Sequence, residues 1–336
     1  MVAGFSPVQA QSEGKIILGQ SAAFTGPAAQ LGIQSYAGAK VYFDRSNALG
    51  TAGRQTIEIR KLDDGYEPAR CVENTQKLIA DDVFALFTGA MALRDPFNRY
   101  AFHFRASYND ETALIVKQLT TLGLKKIAVF YQNDAYGKAG LNGVVLALGR
   151  QSLAPVAQAT VERNSVDVAV AVRALVAAGP DTVVQIGAYK ACAAFIRAAR
   201  KAGYGGTFYN VSFVGTQALA GELGKEAAGV VVSQVMPSPY NPARAICCEF
   251  DDAVKAAGGG VQANFSSMEG YLAAKVFVEP RVAVGGPGGH RQPVVRRLCG
   301  DVFAERPCSV EFRRVVDADR RRTCAHLKSP CGGLWP

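Results

Sequence analysis

The sequence is poor in histidine, with three in 336 residues at His103, His290 and His326. It has a single Trp, and its eight Cys include no pair at CxxC spacing. The first shortage leaves few candidates for a general base. The second removes the ligand pattern of structural zinc sites and dithiol redox motifs. No GxGxxG follows the first apolar run, so the dinucleotide fingerprint is missing. Gly224-Lys225 lacks the earlier Gly and the following hydroxyl of a phosphate loop, and there is no GxSxG elbow. No apolar run approaches the roughly 20 residues of a membrane span. An enzyme of common type is therefore not expected, nor is a metal or cofactor. His103 sits in an FHFR strand pattern and reads as a strand residue rather than a base. Asp63-Asp64 reads more simply as a turn at a strand end than as a metal pair.

The charge is unevenly placed. After Glu279 there are ten Arg and one Lys against three Asp and two Glu, a net +6 of the chain's +9. The body is close to balanced and carries no nucleic-acid footprint. The Cys divide between the body (Cys71, Cys192, Cys247, Cys248) and the tail (Cys299, Cys308, Cys324, Cys331), and the body thiols read as free and mostly buried. Residues 280–336 show no sustained helical or strand period and are rich in Arg, Gly, Pro and Cys. They are expected to be disordered. Translation of a GC-rich gene in a shifted frame accounts for them; a genuine basic arm is the alternative. At the other end, Val8-Gln9-Ala10 ends on the small residue of a secretory cleavage site. Residues 1–14 read as the remnant of a truncated signal peptide or as an ordinary frayed terminus.

What is present is a βα rhythm. Lys15–Gly19, Thr56–Leu62 and Val83–Phe87 read as strands, with helices at Ala28–Asn47 and Glu67–Ala80 between them. Tyr100–Ala106 is expected to be the next strand, so only about a dozen residues remain for a crossover that needs ~10–12. The second half is more regular. Helix Glu111–Leu122 leads to strands Ile127–Tyr131, Ala154–Val161, Thr182–Ile186, Thr207–Phe213 and Gly229–Val235, with helices between them. Helices Asn241–Ala257 and Ser267–Val278 follow. Crossings near Ser107–Asp110 and Pro237–Tyr240 divide the chain into a first lobe (15–108 plus 240–279) and a second lobe (109–239).

Candidate site residues gather at expected strand ends: Phe24-Thr25-Gly26, Thr88-Gly89-Ala90, Asp134-Ala135-Tyr136, Gly187-Ala188-Tyr189 and Asn210-Val211-Ser212. Ligands of open α/β sheets sit outside the carboxyl ends of the strands. Backbone amides at helix starts suit a carboxylate, and aromatic rings suit an apolar group. Tyr136, on the loop after Ile127–Tyr131, is the leading candidate; a Tyr capping the core edge is the alternative.

On the stretches GQSAAFTGPAAQLG, LDDGYEPARCVENTQKLI, FTGAMALRDP, FRASYNDET, FYQNDAYGKAG, IGAYKACAAFIRAARKAGYGG and FVGTQALAGELG, the chain from Lys15 to Glu279 resembles a known family. It is similar to the periplasmic solute-binding proteins of branched-chain amino-acid ABC transporters, the leucine/isoleucine/valine-binding type. The resemblance implies an α/β fold of two Rossmann-like lobes with parallel sheets, joined by a hinge and closing over a small solute. It implies a periplasmic monomer serving an ABC permease in the inner membrane. It places Thr88, Gly89, Ala90, Tyr136, Tyr189 and Tyr271 at the ligand, where Phe24 joins them as a strand-end candidate, and Ser212 where leucine binders carry a Glu for the ligand ammonium. That Ser favours a carboxylate, amide or aromatic acid over an α-amino acid. Family members also carry some 25–30 further residues between the FALF strand and TGA, so the first lobe is expected to be incomplete and binding weak or absent. A ligand-sensing regulator of the same fold, an α/β enzyme using Tyr136 and Asp134, and a non-functional truncated or frameshifted product are the alternatives.

Overall fold

The computed structural model describes residues 14–52, 55–87, 105–283 and 311–314. The apolar runs become strands of two sheets. The first has the order β2-β1-β3, with β1 (Lys15–Ala22) paired in parallel to β2 (Thr56–Asp63) and to β3 (Ala85–Leu86). The second has the order β5-β4-β6-β7-β8-β9, with β9 at Glu311–Arg314. In it β4 (Ile127–Gln132), β5 (Ala157–Val161), β6 (Thr182–Ile186), β7 (Thr207–Asn210) and β8 (Val230–Gln234) are parallel. The α/β class with parallel sheets is as the sequence implies.

Strand β4 shows why its sequence is continuously apolar. Ala128 and Phe130 pack into one core with Phe195 and Phe208, while Ile127 and Val129 pack into another with Leu119 and Leu148. Both faces are covered, as a parallel strand between helices requires. Phe130 stacks on Phe195 with centroids 4.3 Å apart. A separate core joins β1 and β2 to the last helices, α8 (Ala245–Ala256) and α9 (Phe265–Ala283), through Leu18, Phe43, Ile57, Phe250 and Met268. The chain passes from this core at Ala106 into the second sheet and returns to it at Val235 and Met236.

Helix α1 (Ala29–Leu49) crosses α9 backbone to backbone. A Cβ at Gly38 would lie 1.8 Å from the Ser267 carbonyl oxygen, and one at Gly270 1.9 Å from that of Ser35. Only Gly permits this approach.

Three expectations change. Strand β7 stops at Asn210 rather than Phe213, because Ser212–Val214 closes a 3₁₀ turn that ends at Gly215, with φ of 77°. Strand β3 is short, although Phe84 and Phe87 also donate their N–H groups to Ile17 and Gly19, each at 2.7 Å. The tail is not wholly without order: β9 (Glu311–Arg314) pairs antiparallel with β8, Val231 opposite Arg314. The expected strand Tyr100–Ala106 lies outside the described residues except for its last two, which are not strand. His103, His290, His326 and residues 1–13, 284–310 and 315–336 also lie outside them, while the first residues of the tail continue α9. Cys71 and Cys192 are free thiols; Cys192 and Cys247 are buried, Cys71 and Cys248 half-buried.

Candidate functional site

The carboxyl ends of β1, β2, β4, β6 and β7 carry the site. After β4, Asp134 caps α4 (Ala135–Gly149) by accepting the Gly137 N–H at 2.9 Å. Gly137 packs so tightly that a Cβ there would lie 1.9 Å from the Gln132 carbonyl oxygen. This fixes Tyr136 in the first turn of α4. Its ring lies 5.1 Å from that of Tyr108 and 4.9 Å from that of Phe213. Phe213 stacks in turn on Tyr66, 6.3 Å away at 28°. The Tyr136 hydroxyl is buried and has no hydrogen-bond partner among the described residues.

A charged layer lies beside these rings. Arg105 donates to Glu269 Oε1 at 3.0 Å and to Ser212 Oγ at 2.7 Å. Glu111, in the first turn of α3 (Tyr108–Thr121), is fully buried. Its Oε1 accepts the Ser212 N–H at 2.5 Å and the Ser233 hydroxyl. Its Oε2 is buried without a partner among the described residues. Burial raises the Glu111 carboxyl above the usual carboxylate range, against the opposing pull of Arg105. Burial raises the phenols as well: Tyr136 and Tyr108 well above their ordinary value, Tyr66 to about 12. Protonated phenols bind and stack; they do not abstract protons near neutral pH. Asp134 is committed to the Gly137 N–H, Gln132 and Arg163. The Tyr136–Asp134 pair considered for an enzyme therefore offers no base.

The Asp63-Asp64 turn follows β2. Asp63 accepts the N–H groups of Phe24 at 2.8 Å, Thr25 at 3.2 Å and Gly65 at 2.9 Å, with the Thr25 hydroxyl at 2.6 Å. Asp64 accepts the Ser21 hydroxyl and the Tyr66 N–H at 2.9 and 2.8 Å. Both carboxylates are thus spent on folding the turn.

The expected site residues are brought together only in part. Tyr136 and Ser212 meet in the aromatic and charged cluster. Tyr189 is buried at the start of α6 (Tyr189–Lys201). Phe24 keeps its ring against Tyr36, 5.9 Å away, and under Lys61, 5.1 Å from the ammonium. Tyr271 does not line the cleft. It is fully buried between Tyr42 and Phe250, with its hydroxyl donating to Glu249 at 2.8 Å. Facing α1 and α8 is the cause: the inward side of α9 is a packing face. Thr88, Gly89 and Ala90 lie outside the described residues. Sequence reading missed Tyr66, Arg105, Tyr108, Glu111, Arg163 and Phe213. Most stand within the stretches DDGYEP, FRASYNDET and SFVG, next to residues already singled out; Arg163 had no such signal.

A family model described as periplasmic binding protein matches residues 15–298. A comparison with curated proteins finds no match. Among solved structures, a possible leucine/isoleucine/valine-binding protein from Rhodopirellula baltica SH 1 is 30% identical, with a TM-score of 0.75 over 89% of this chain and 87% of that one. A substrate-binding periplasmic protein from Ralstonia solanacearum is 27% identical, with a TM-score of 0.77 over 88% and 96%. A branched-chain amino-acid ABC transporter structure from Thermus thermophilus with bound valine, 17% identical with a TM-score of 0.71 over 87% and 83%, shares the fold.

Proposed function

The chain belongs to the periplasmic binding protein family, and from that premise we propose that it takes up a small amino-acid-like or carboxylate solute between its two sheets. The observation that carries this reading is the buried Tyr136 hydroxyl, unpaired among the described residues, within a cluster of three further aromatic rings. An unsatisfied buried polar group costs about 1–3 kcal/mol. A solute hydrogen-bonding to it recovers that penalty. Solute contacts to both sheets favour the closed arrangement, which is how binding is coupled to closure. The role is solute capture outside the cytoplasm for an ABC permease, by a monomer. The two lobes are 15–108 plus 240–279 and 109–239, the first of them incomplete. That shortfall makes binding weak, because the sequence runs from the FALF strand straight into Thr88-Gly89-Ala90 without the segment that family members carry there.

A thermal-shift panel of amino acids, amides and aromatic acids at millimolar concentration tests the reading, with calorimetry on any hit. A small stabilisation that disappears in Tyr136→Phe is expected. A panel without effect on the wild-type chain refutes the binding role. A micromolar affinity refutes the claim that the shortened first lobe cripples the site.

A further inference from the structure

Glu111 is tied to the aromatic cluster from two sides. It stands three residues after Tyr108 in the first turn of α3, on the same helix face, and the Tyr108 ring lies against that of Tyr136. On the other side Ser212 donates its N–H to Glu111 Oε1, and the next residue, Phe213, sets its ring against Tyr136. Glu111 and Tyr136 thus share one cluster. Each has a buried oxygen without a partner among the described residues, Oε2 of the carboxyl and the phenol hydroxyl. The form of the carboxyl follows from its bonds. Oε1 accepts both the Ser212 N–H and the Ser233 hydroxyl, which leaves Oε2 as the place for a proton. An ionised carboxylate buried with one oxygen unpaired bears a desolvation cost that the neutral acid avoids. Burial outweighs the opposing pull of Arg105. Arg105 also donates to Glu269 of α9 and to Ser212, and Tyr108 and Tyr136 are neutral phenols.

We propose that Glu111 is a further solute-binding residue, which as a neutral carboxylic acid donates its Oε2–H to a carboxylate oxygen of the solute and so selects carboxylates over their amides. The inference rests on the binding role proposed above and names its solute class. The Tyr136 O–H is a second donor in the same cluster, and two donors suit an acceptor-only group. A hydrogen bond to an ionised acceptor is roughly twice as strong as a neutral one, which separates the carboxylate from the amide. The rings of Tyr66, Tyr108 and Phe213 offer apolar surface to the rest of the solute. An ionised Glu111 would instead set a negative charge against the solute's own, so the site holds a carboxylate only while Glu111 keeps its proton.

The test titrates the full chain with matched pairs: benzoate and benzamide, phenylacetate and phenylacetamide, isovalerate and isovaleramide. Thermal shifts are read from about pH 6 to about pH 8, where these acids are ionised. At least one carboxylate is expected to bind about tenfold more tightly than its amide at the acid end. Its affinity is expected to decline as pH rises, by up to about tenfold per unit once Glu111 ionises. Glu111→Gln donates through its amide at every pH, so it should keep the preference for the carboxylate and lose the pH dependence. Glu111→Ala should lose the preference. Circular dichroism without solute confirms that both variants are folded. Amides that bind as tightly as their carboxylates, a carboxylate response that does not decline with pH, or a Glu111→Gln variant that behaves as Glu111→Ala overturns the role of Glu111 and leaves the binding role standing. A wild-type chain that responds to none of the six probes overturns both.

Discussion

The crossing of α1 and α9 makes a prediction with a sign. Gly270→Ala places a methyl 1.9 Å from the Ser35 carbonyl oxygen, where side-chain carbons do not come within 3.0 Å of their neighbours. Both atoms belong to helix backbones, so no rotamer relieves the clash, and the helices must separate by roughly 1 Å. Separation loosens the Tyr42–Tyr271 contact, now at 5.0 Å. Overpacking of this kind costs about 1–3 kcal/mol, and the entropic benefit of Ala over Gly, about 0.5–1 kcal/mol, offsets only part of it. Gly221 in α7 (Thr216–Leu223) is the counter-case: a Cβ there meets nothing within 4 Å. Gly221→Ala is expected to stabilise by about 0.5–1 kcal/mol. Urea midpoints at unchanged slope report both values. Gly38→Ala combined with Gly270→Ala should cost less than the sum of the two, since one separation relieves both clashes. If Gly270→Ala leaves the midpoint unmoved, or moves it in the same direction as Gly221→Ala, the close-contact argument is wrong.

Tyr136→Phe removes a buried unpaired hydroxyl and should raise the unliganded melting temperature, by the equivalent of about 1 kcal/mol, while weakening any solute response; a lower melting temperature contradicts the site reading. Asp63 gives an acid limb. Burial alone would raise its carboxyl, but the Thr25 hydroxyl and the N–H groups of Phe24, Gly65 and Thr25 outweigh this and hold it well below its ordinary 3.8. A depressed folded value means stability that is present above pH 3.8 and declines as pH falls below it. Asp63→Asn should flatten that limb in an acid titration followed by circular dichroism. Glu111 works in the opposite sense. Its raised value makes the folded state hold a proton that the unfolded state releases, so stability falls as pH rises from the ordinary carboxylate range through the folded value. Glu111→Gln should remove that slope. Phe130→Ala, which empties the stack against Phe195, is expected to destabilise by about 3–5 kcal/mol in the same urea assay.

The parallel second sheet was legible chiefly through β4, which is buried on both faces, so that Ile127–Tyr131 is an unbroken apolar run. Tyr136 was legible for a local reason: a polar cap, a Gly that must pack closely, and a helix start within four residues. Tyr271 was not. One face of α9 meets α1 and α8, and a sequence does not show which side of an apolar helix a cleft will use. Arg105 and Glu111 were hidden because their partners Glu269, Ser212 and Ser233 come from distant parts of the chain. Tyr66 reads as an ordinary turn residue until the loop after β5 closes on it.

The glycine-to-carbonyl contact between α1 and α9 also bears on the order in which the chain acquires its structure. The second sheet's parallel strands lie between Ile127 and Gln234 and pair mostly with near neighbours in sequence, so they can assemble as they leave the ribosome. The first core cannot. Its β1, β2 and α1 are made at the beginning, yet Phe250, Met268 and Leu272, which complete it, are among the last of the core residues to be synthesised. Throughout synthesis of the middle of the chain, the amino-terminal strands therefore wait with their apolar faces uncovered. That interval is when a holding chaperone has the most to grip, and when this protein is most exposed to aggregation.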